Sequence, residues 1–298
     1  MSKFTEIDVR WAIPIPYYEN KEWHEQVKLQ EITPVMELLT ILLAGLLGLL
    51  SPVGGVVERI AENSIRSQFV HIKTLRVRVD NVPTHQLLQG KVQRVRIAGR
   101  ALDLKQNIRL AVLEVETDAV DVDTDSLSGR LQLQQPLQAG VRLVLTEQDV
   151  NQALQSDAIA RRLLNVTISG LGRRTQSVQQ FNFSQPRIQF LVNNRIRFQV
   201  ELTQDDVEPL RLTIESGLGV ISERQIQLIA PVVLVNEEKV PEQILSAIAT
   251  NFSQQFDLRS LQSAGIQARI LQLNVSPQKL EIAGFIRVET SSRILKQL

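Results

Sequence analysis

Alternation with a period of two, recurring through most of the chain and interrupted only by isolated helical stretches, is the feature that most restricts what this sequence can fold into. In "HIKTLRVRVDNVP", Leu75, Val77 and Val79 point one way while Arg76 and Arg78 point the other, because successive side chains of a strand leave opposite faces. Asp80-Asn81-Val82-Pro83 ends that strand. In "KVQRVRIAG", Val95 and Ile97 oppose Arg94 and Arg96, and "NIRLAVLEVETDAVDVD" follows after a brief connection, which predicts an antiparallel meander. "RIQFLVNNRIRFQVEL" reads as a hairpin turned at Asn193-Asn194, a pair suited to left-handed backbone. "PLRLTIESGLG" and "RQIQLIAPVVLV" extend the series, with "GLGVIS" at Gly217 read as a turn between strands. "ARILQLNVSPQKLEIAGFIRV" closes it as a hairpin turned at Ser276-Pro277.

Three stretches carry helical spacing instead. "VVERIAENSIRSQF" puts Val57, Ile60, Ala61, Ile65 and Phe69 on one side and Glu58, Arg59, Glu62 and Arg66 on the other. "LTEQDVNQALQSDAIARRLL" opens with Thr146 and Asp149 in capping-box spacing, ahead of Val150, Leu154, Ile159, Leu163 and Leu164. "VPEQILSAIATNFSQQF" has Pro241 pre-set for the first helical position and Ile244, Leu245, Ile248 and Phe252 on one side. Runs of strands between single helices argue for an α+β fold with an antiparallel sheet, not a doubly wound parallel one. The expected domain spans residues 56–298, with two similar lobes at 56–165 and 166–298.

Ahead of that domain, twenty uncharged residues separate Glu37 from Glu58. Leu38, Leu39, Leu42, Leu43, Leu46, Leu47, Leu49 and Leu50 make nearly every face of this run apolar, and Pro52, Gly54 and Gly55 interrupt it. The uninterrupted part, Leu38 to Leu50, reaches roughly 20 Å as a helix, short of the roughly 30 Å of a bilayer's hydrocarbon. A secretory signal would want a basic leading region, whereas Glu37 precedes the run. A buried core helix and a helix lying in one leaflet both fit, and residues 36–55 are read as the membrane-associating one. Residues 1–35 differ in composition: Trp11, Tyr17, Tyr18 and Trp23 are all the tryptophans and tyrosines of the chain. They read as an N-terminal extension, as an upstream misassigned start, or as an arm whose aromatics anchor at headgroup depth.

At 298 residues the chain can bury a substantial core. Its 33 Lys and Arg nearly balance 32 Asp and Glu, so no global field draws it to nucleic acid. Charge is local instead. Lys73, Arg76, Arg78, Lys91, Arg94, Arg96 and Arg100 stand against Asp80 alone between Val70 and Arg100. Such residues attract anionic lipid headgroups at about 1 kcal/mol each. The acids of the next segment, Glu114, Glu116, Asp118, Asp121, Asp123 and Asp125, could equally consume them by cross-strand pairing. No aromatics interleave with the basic strands, so a base-stacking platform is missing and no nucleic-acid partner is expected.

Catalytic and metal chemistry find little support. Zero cysteines remove thiolate zinc sites and cysteine nucleophiles, and His24, His71 and His85 stand in no HExxH motif. There is no GxSxG, Walker loop or GxGxxG. Asp121, Asp123 and Asp125 start like a calcium loop, but Ser126 replaces the turn glycine and Gln132 the bidentate glutamate. No metal and no cofactor are expected, and the chain is read as a non-enzyme.

The run "VRVDNVPTHQLLQGKVQRVRIAGRALDL", with "LTEQDVNQAL" and "AGIQARILQLNVSPQKLEIAG", resembles the LmeA family of phospholipid-binding proteins over about residues 36–288. The resemblance implies a long, strongly curved antiparallel sheet wrapped around helices, of the tubular lipid-binding kind, with an apolar groove for acyl chains. It also implies phospholipid as the bound molecule, at a bacterial envelope.

The expected protein is therefore a peripheral, lipid-binding one. The leucines of the apolar run insert; Arg59, Arg66, Lys73, Arg76, Arg78, Lys91, Arg94 and Arg96 meet headgroups. Val57, Ile60, Ile65, Phe69, Leu75, Val77, Val79, Val95 and Ile97 line the acyl groove. Partners are a phospholipid membrane and, in the competing reading, a protein on which the apolar helix docks while the domain holds no lipid. Which membrane face is occupied stays open.

Overall fold

The structure, a computed structural model, describes residues 62–63, 65–67, 69–80, 89–104, 108–123, 133–156, 182–204 and 207–296. The apolar run, the 1–35 extension, Val57, Arg59 and Ile60 lie outside the described residues. Alternation becomes strands in chain order: β1 (His71–Asp80), β2 (Lys91–Val92), β3 (Arg94–Asp103), β4 (Arg109–Thr117), β5 (Val120–Asp121) and β6 (Leu137–Thr146). Helix α1 (Glu147–Leu154) follows directly, started by the Thr146 side chain, which accepts from the Asp149 N–H as the capping-box spacing predicts. The second half contributes β7 (Asn182–Phe190), β8 (Arg195–Gln204), β9 (Val207–Ile221), β10 (Gln225–Val235), β11 (Glu238–Lys239) and α2 (Glu242–Gln255). A 3-10 helix (Leu258–Ala264) leads to the closing strands β12 (Ile266–Ser276) and β13 (Lys279–Val288).

All pairings are antiparallel, but the strands do not form one long sheet. Six run in the order β1-β3-β4-β6-β13-β12, five in the order β11-β10-β9-β8-β7, and β2 pairs with β5. The closing hairpin, from the second half of the sequence, thus joins the sheet built by the first. Hydrophobic pattern along one strand fixes which face is buried, not which strand becomes the neighbour.

Several details follow from local chemistry. Asn193 and Asn194 turn the β7–β8 hairpin at φ 57 and 61, as their tolerance of left-handed backbone predicts. Pro241, expected at the first helical position, is instead the N-cap of α2, whose first residue is Glu242. The "GLG" segment is strand, not turn. Gly217 and Gly219 lie inside β9, and the Ile229 side chain of β10 lies over both: a Cβ at Gly217 would meet Ile229 Cβ at 3.2 Å, and one at Gly219 would overlap its Cδ1. Glycine is needed there for close side-chain approach.

The five-stranded sheet packs Phe198, Val200, Leu202, Leu212, Ile214 and Val233 against Leu154 of α1 and Ile248 of α2. A second cluster joins the sheets: Phe190, Ile196 and Leu218 of one pack with Ile270, Leu273 and Val275 of the other. Hydrogen bonds reinforce this junction. Two hairpin tips of the five-stranded sheet, β7–β8 and β9–β10, reach the edge strand β12. Ile270 donates its N–H to the Glu223 carbonyl, and Asn194 bonds Leu273 and Val275. The β7 edge is covered as well, because Asn151 of α1 pairs both ways with the Ile188 backbone and Glu147 accepts from Phe190 N–H. Covered edges suppress strand pairing with other chains.

Candidate lipid-binding surface

The six-stranded sheet has two unlike faces. Register places Leu75, Gly99, Leu113, Leu143, Ile282 and Leu273 in one row across all six strands, and Val77, Ile97, Val115, Val141, Gly284 and Ile270 in the next. Not one polar side chain interrupts these rows. The opposite face carries Arg78, Arg96 and Glu116 in one row, and Arg76, Glu114 and Arg142 in another.

Of the residues expected to line an acyl groove, Leu75, Val77, Val79, Val95 and Ile97 share the apolar face. Leu75, Val77, Val95 and Ile97 are buried there and Val79 is half-buried; Ile65 and Phe69, which precede β1, are buried as well. The flanking strand β12 is equally well covered, through Ile266, Ile270, Leu273 and Val275. Between these flanks the same face is half-buried except at Val141, which is buried, and Leu280 and Ile282 pack against the cluster that joins the sheets. Ala139, Leu143 and Leu145 of β6 pair with Ile286, Ile282 and Leu280 of β13, and all six keep partial exposure. From Ala139 to Leu145 this strip is about 20 Å long at a rise of about 3.4 Å per residue. Alternation alone could not single it out, since buried and half-buried aliphatics look alike in sequence.

The residues expected at headgroups separate into two groups. Arg78 and Arg96 both bind Asp80, Lys91 lies 3.6 Å from Asp121, Arg94 lies 3.1 Å from Glu116, and Arg66 pairs with Glu62 in the preceding helical turn. Ion pairing therefore takes up five of the eight, three of them across strands. The Arg96 and Arg78 guanidiniums hold the Asp80 carboxyl below its ordinary range. Lys73 and Arg76 are exposed and make no ion pair among the described residues.

Two charged clusters were not foreseen, because each joins residues distant in sequence. Arg142 of β6 binds Glu281 at 2.6 Å and Glu114 at 3.0 Å, linking three neighbouring strands. Glu281 is held below the usual carboxylate range, chiefly by its hydrogen bond from Arg142. On the other sheet, Arg195 and Arg197 converge on Glu215 at 3.1 and 2.8 Å, lowering its pKa. Arg197, Arg211 and Glu215, with Val232 and Leu234, border a shallow recess there. Its arginines are already paired, for Arg211 reaches Glu201 at 3.4 Å, and Glu237 lines the recess without an ion pair among the described residues. Among the described residues no cluster of His, Asp and Glu could hold a metal ion, and no helix is long and apolar enough to cross a membrane.

Neither a curated protein nor a solved structure matches the chain. A family does: residues 49–285, most of the chain and nearly all of both sheets, match the model for LmeA-like phospholipid-binding proteins. The chain belongs to the LmeA-like phospholipid-binding family.

Proposed function

We propose that this protein is a non-enzymatic phospholipid binder that attaches peripherally to a membrane and serves lipid transport or envelope maintenance. Acyl chains lie along the half-buried strip of β6 and β13, between Ala139–Ile286 and Leu145–Leu280. The observation that carries this reading is the strip itself, joined to the family match. Partly exposed aliphatics between fully buried flanks gain about 25 cal/mol for each Å² that a lipid tail covers. At about 20 Å the strip exceeds the roughly 15 Å hydrocarbon depth of one leaflet, so it can take most of an acyl chain.

The apolar run from Leu38 to Leu50 supplies attachment by inserting in one leaflet, and the helix following it joins that anchor to the sheet. Native mass spectrometry of gently purified protein tests the reading. A mass increment equal to a phospholipid, reduced in Leu143→Gln with Ile282→Gln, is expected. A clean lipid-free mass with a stoichiometric protein partner would establish the scaffold alternative instead. Liposome flotation of Leu42→Glu with Leu46→Glu tests the anchor: a correctly folded variant that floats like the parent refutes its role.

A further inference from the structure

Six large apolar side chains among the described residues are more than a third exposed, and three of them share one surface. Val70, Val192 and Leu271 stand apart, before β1, in the β7–β8 turn and at the register shift of β12. Ile221, Ile229 and Val232, exposed by 42, 46 and 37%, all leave the outer face of the five-stranded sheet. Ile229 opposes Gly217 and Val232 opposes Glu215, so these positions alternate with Leu212, Ile214 and Leu218, which are buried on the other face. Gly217 and Gly219 belong to the outer face too, and Ile229 lies across both. Glycine inside a strand weakens it. Covering two glycines with an isoleucine that stays nearly half in water gains little within the fold, but it makes β9–β10 a level apolar surface.

The surroundings have the make-up of a protein interface, in which an apolar centre has a polar rim and arginine is favoured over lysine. Arg195, Arg197 and Arg211 border the centre with Gln199 and Thr213, and are matched by Glu201, Glu215 and Glu237. Arg187 of β7 and Lys239 of β11 lie only at the margins. A centre balanced in this way does not repel its own copy. Size agrees. Four full strands about 4.8 Å apart and about ten residues long make a face of roughly 650 Å² before side-chain relief, near the roughly 800 Å² that each partner gives to a standard interface. Edge-to-edge pairing is closed off, because β10 bulges at Ala230-Pro231, where Ala230 has φ 45 and Pro231 has no N–H to donate. Association therefore goes through the face.

We propose that the outer face of β9–β10 is the two-fold interface of a homodimer, with Ile221, Ile229 and Val232 of one copy covered by the same face of the other. A two-fold pair buries one patch on both copies and is the commonest closed assembly of soluble chains. The inference stands apart from the lipid-binding reading, whose strip belongs to the other sheet.

Sedimentation equilibrium of the full chain in non-ionic detergent tests it. The protein mass, corrected for detergent, should be twice the 33.6 kDa of one chain. Each residue occurs twice in such an interface, so Val232→Glu should weaken dimerisation about thirtyfold or more, at about fivefold for each copy. Val70→Glu places the same charge on an exposed valine of the other sheet's margin and should leave the dimer unchanged. Leu42→Glu with Leu46→Glu should leave it unchanged as well, which separates this interface from association through the apolar run. A parent that stays monomeric, a dimer indifferent to Val232→Glu, equal loss in Val232→Glu and Val70→Glu, or a dimer abolished by the apolar-run variant overturns the proposal. Should Val232→Glu fail to fold by circular dichroism, Ile221→Glu at the end of β9 decides in the same way.

Discussion

Asn194 holds the two sheets together more than any other single side chain described. Its amide donates to the Leu218 carbonyl at 3.1 Å within its own sheet and to the Leu273 carbonyl at 3.2 Å in the other, and its oxygen accepts from Val275 N–H. Its backbone sits at φ 61, where a Cβ is disfavoured unless the residue is Asn or Asp. The two contributions can be separated by substitution. Asn194→Gly keeps the backbone relaxed and removes three hydrogen bonds of about 1 kcal/mol each, so a loss of about 2–4 kcal/mol is expected. Asn194→Ala adds about 1–2 kcal/mol for the left-handed alanine. Asn194→Asp keeps the acceptor for Val275 but turns a carboxylate oxygen toward two carbonyls, and should be at least as damaging as glycine. Urea unfolding gives the stabilities, and amide exchange at Ile270 and Val275 reports whether the hairpin tips still cover β12. A glycine variant within 0.5 kcal/mol of the parent, or alanine and glycine variants of equal stability, would refute this account of the junction.

Two further outcomes follow from features already described. Gly284→Ala should destabilise by about 1–3 kcal/mol because its methyl would meet the Arg269 carbonyl oxygen at 2.6 Å, whereas Gly140→Ala, whose nearest neighbour is a backbone oxygen at 4.0 Å, should not; thermal unfolding of both checks it. Glu215 and Glu281 have pKa values lowered on folding from an ordinary 4.5, by Arg197 with Arg195 and by Arg142 respectively. A carboxylate depressed in the folded state contributes stability above its unfolded pKa and loses it as pH falls through the folded value. The difference in stability between the parent and Glu281→Gln should therefore be constant above about pH 5 and shrink below pH 4.5, measured by urea unfolding across that range.

Much of this architecture was legible because local chemistry and global fold agree. Asn193-Asn194 and Thr146 with Asp149 each announced a turn or a cap from local chemistry, and the turn expected at Ser276-Pro277 falls one residue on, at Pro277-Gln278. Period-two alternation gave the apolar face of β1 and β3 residue by residue. What alternation lacks is information about neighbours. It could not tell that β13 lies beside β6, and so could not reveal the Arg142 cluster or the strip around Leu143 and Ile282. The same blindness made Gly217 and Gly219 look like a turn, since the Ile229 side chain that requires them arrives from the next strand. Charge counting left headgroup attraction and internal pairing both open for a related reason: an excess of basic residues in one segment says nothing of Asp80 serving two arginines at once.

The placement of β13 beside β6 also sets the order in which the molecule can be completed. Glu281 meets Arg142 across 139 positions of chain, so the inner edge of β6 has no neighbour until the final hairpin has been synthesised. At roughly 5–20 residues per second, translation leaves that edge bare for on the order of ten seconds. For that interval a nascent chain displays an open ladder lined with leucine and valine, and a chain truncated before β13 keeps that unpaired edge as a template for aggregation.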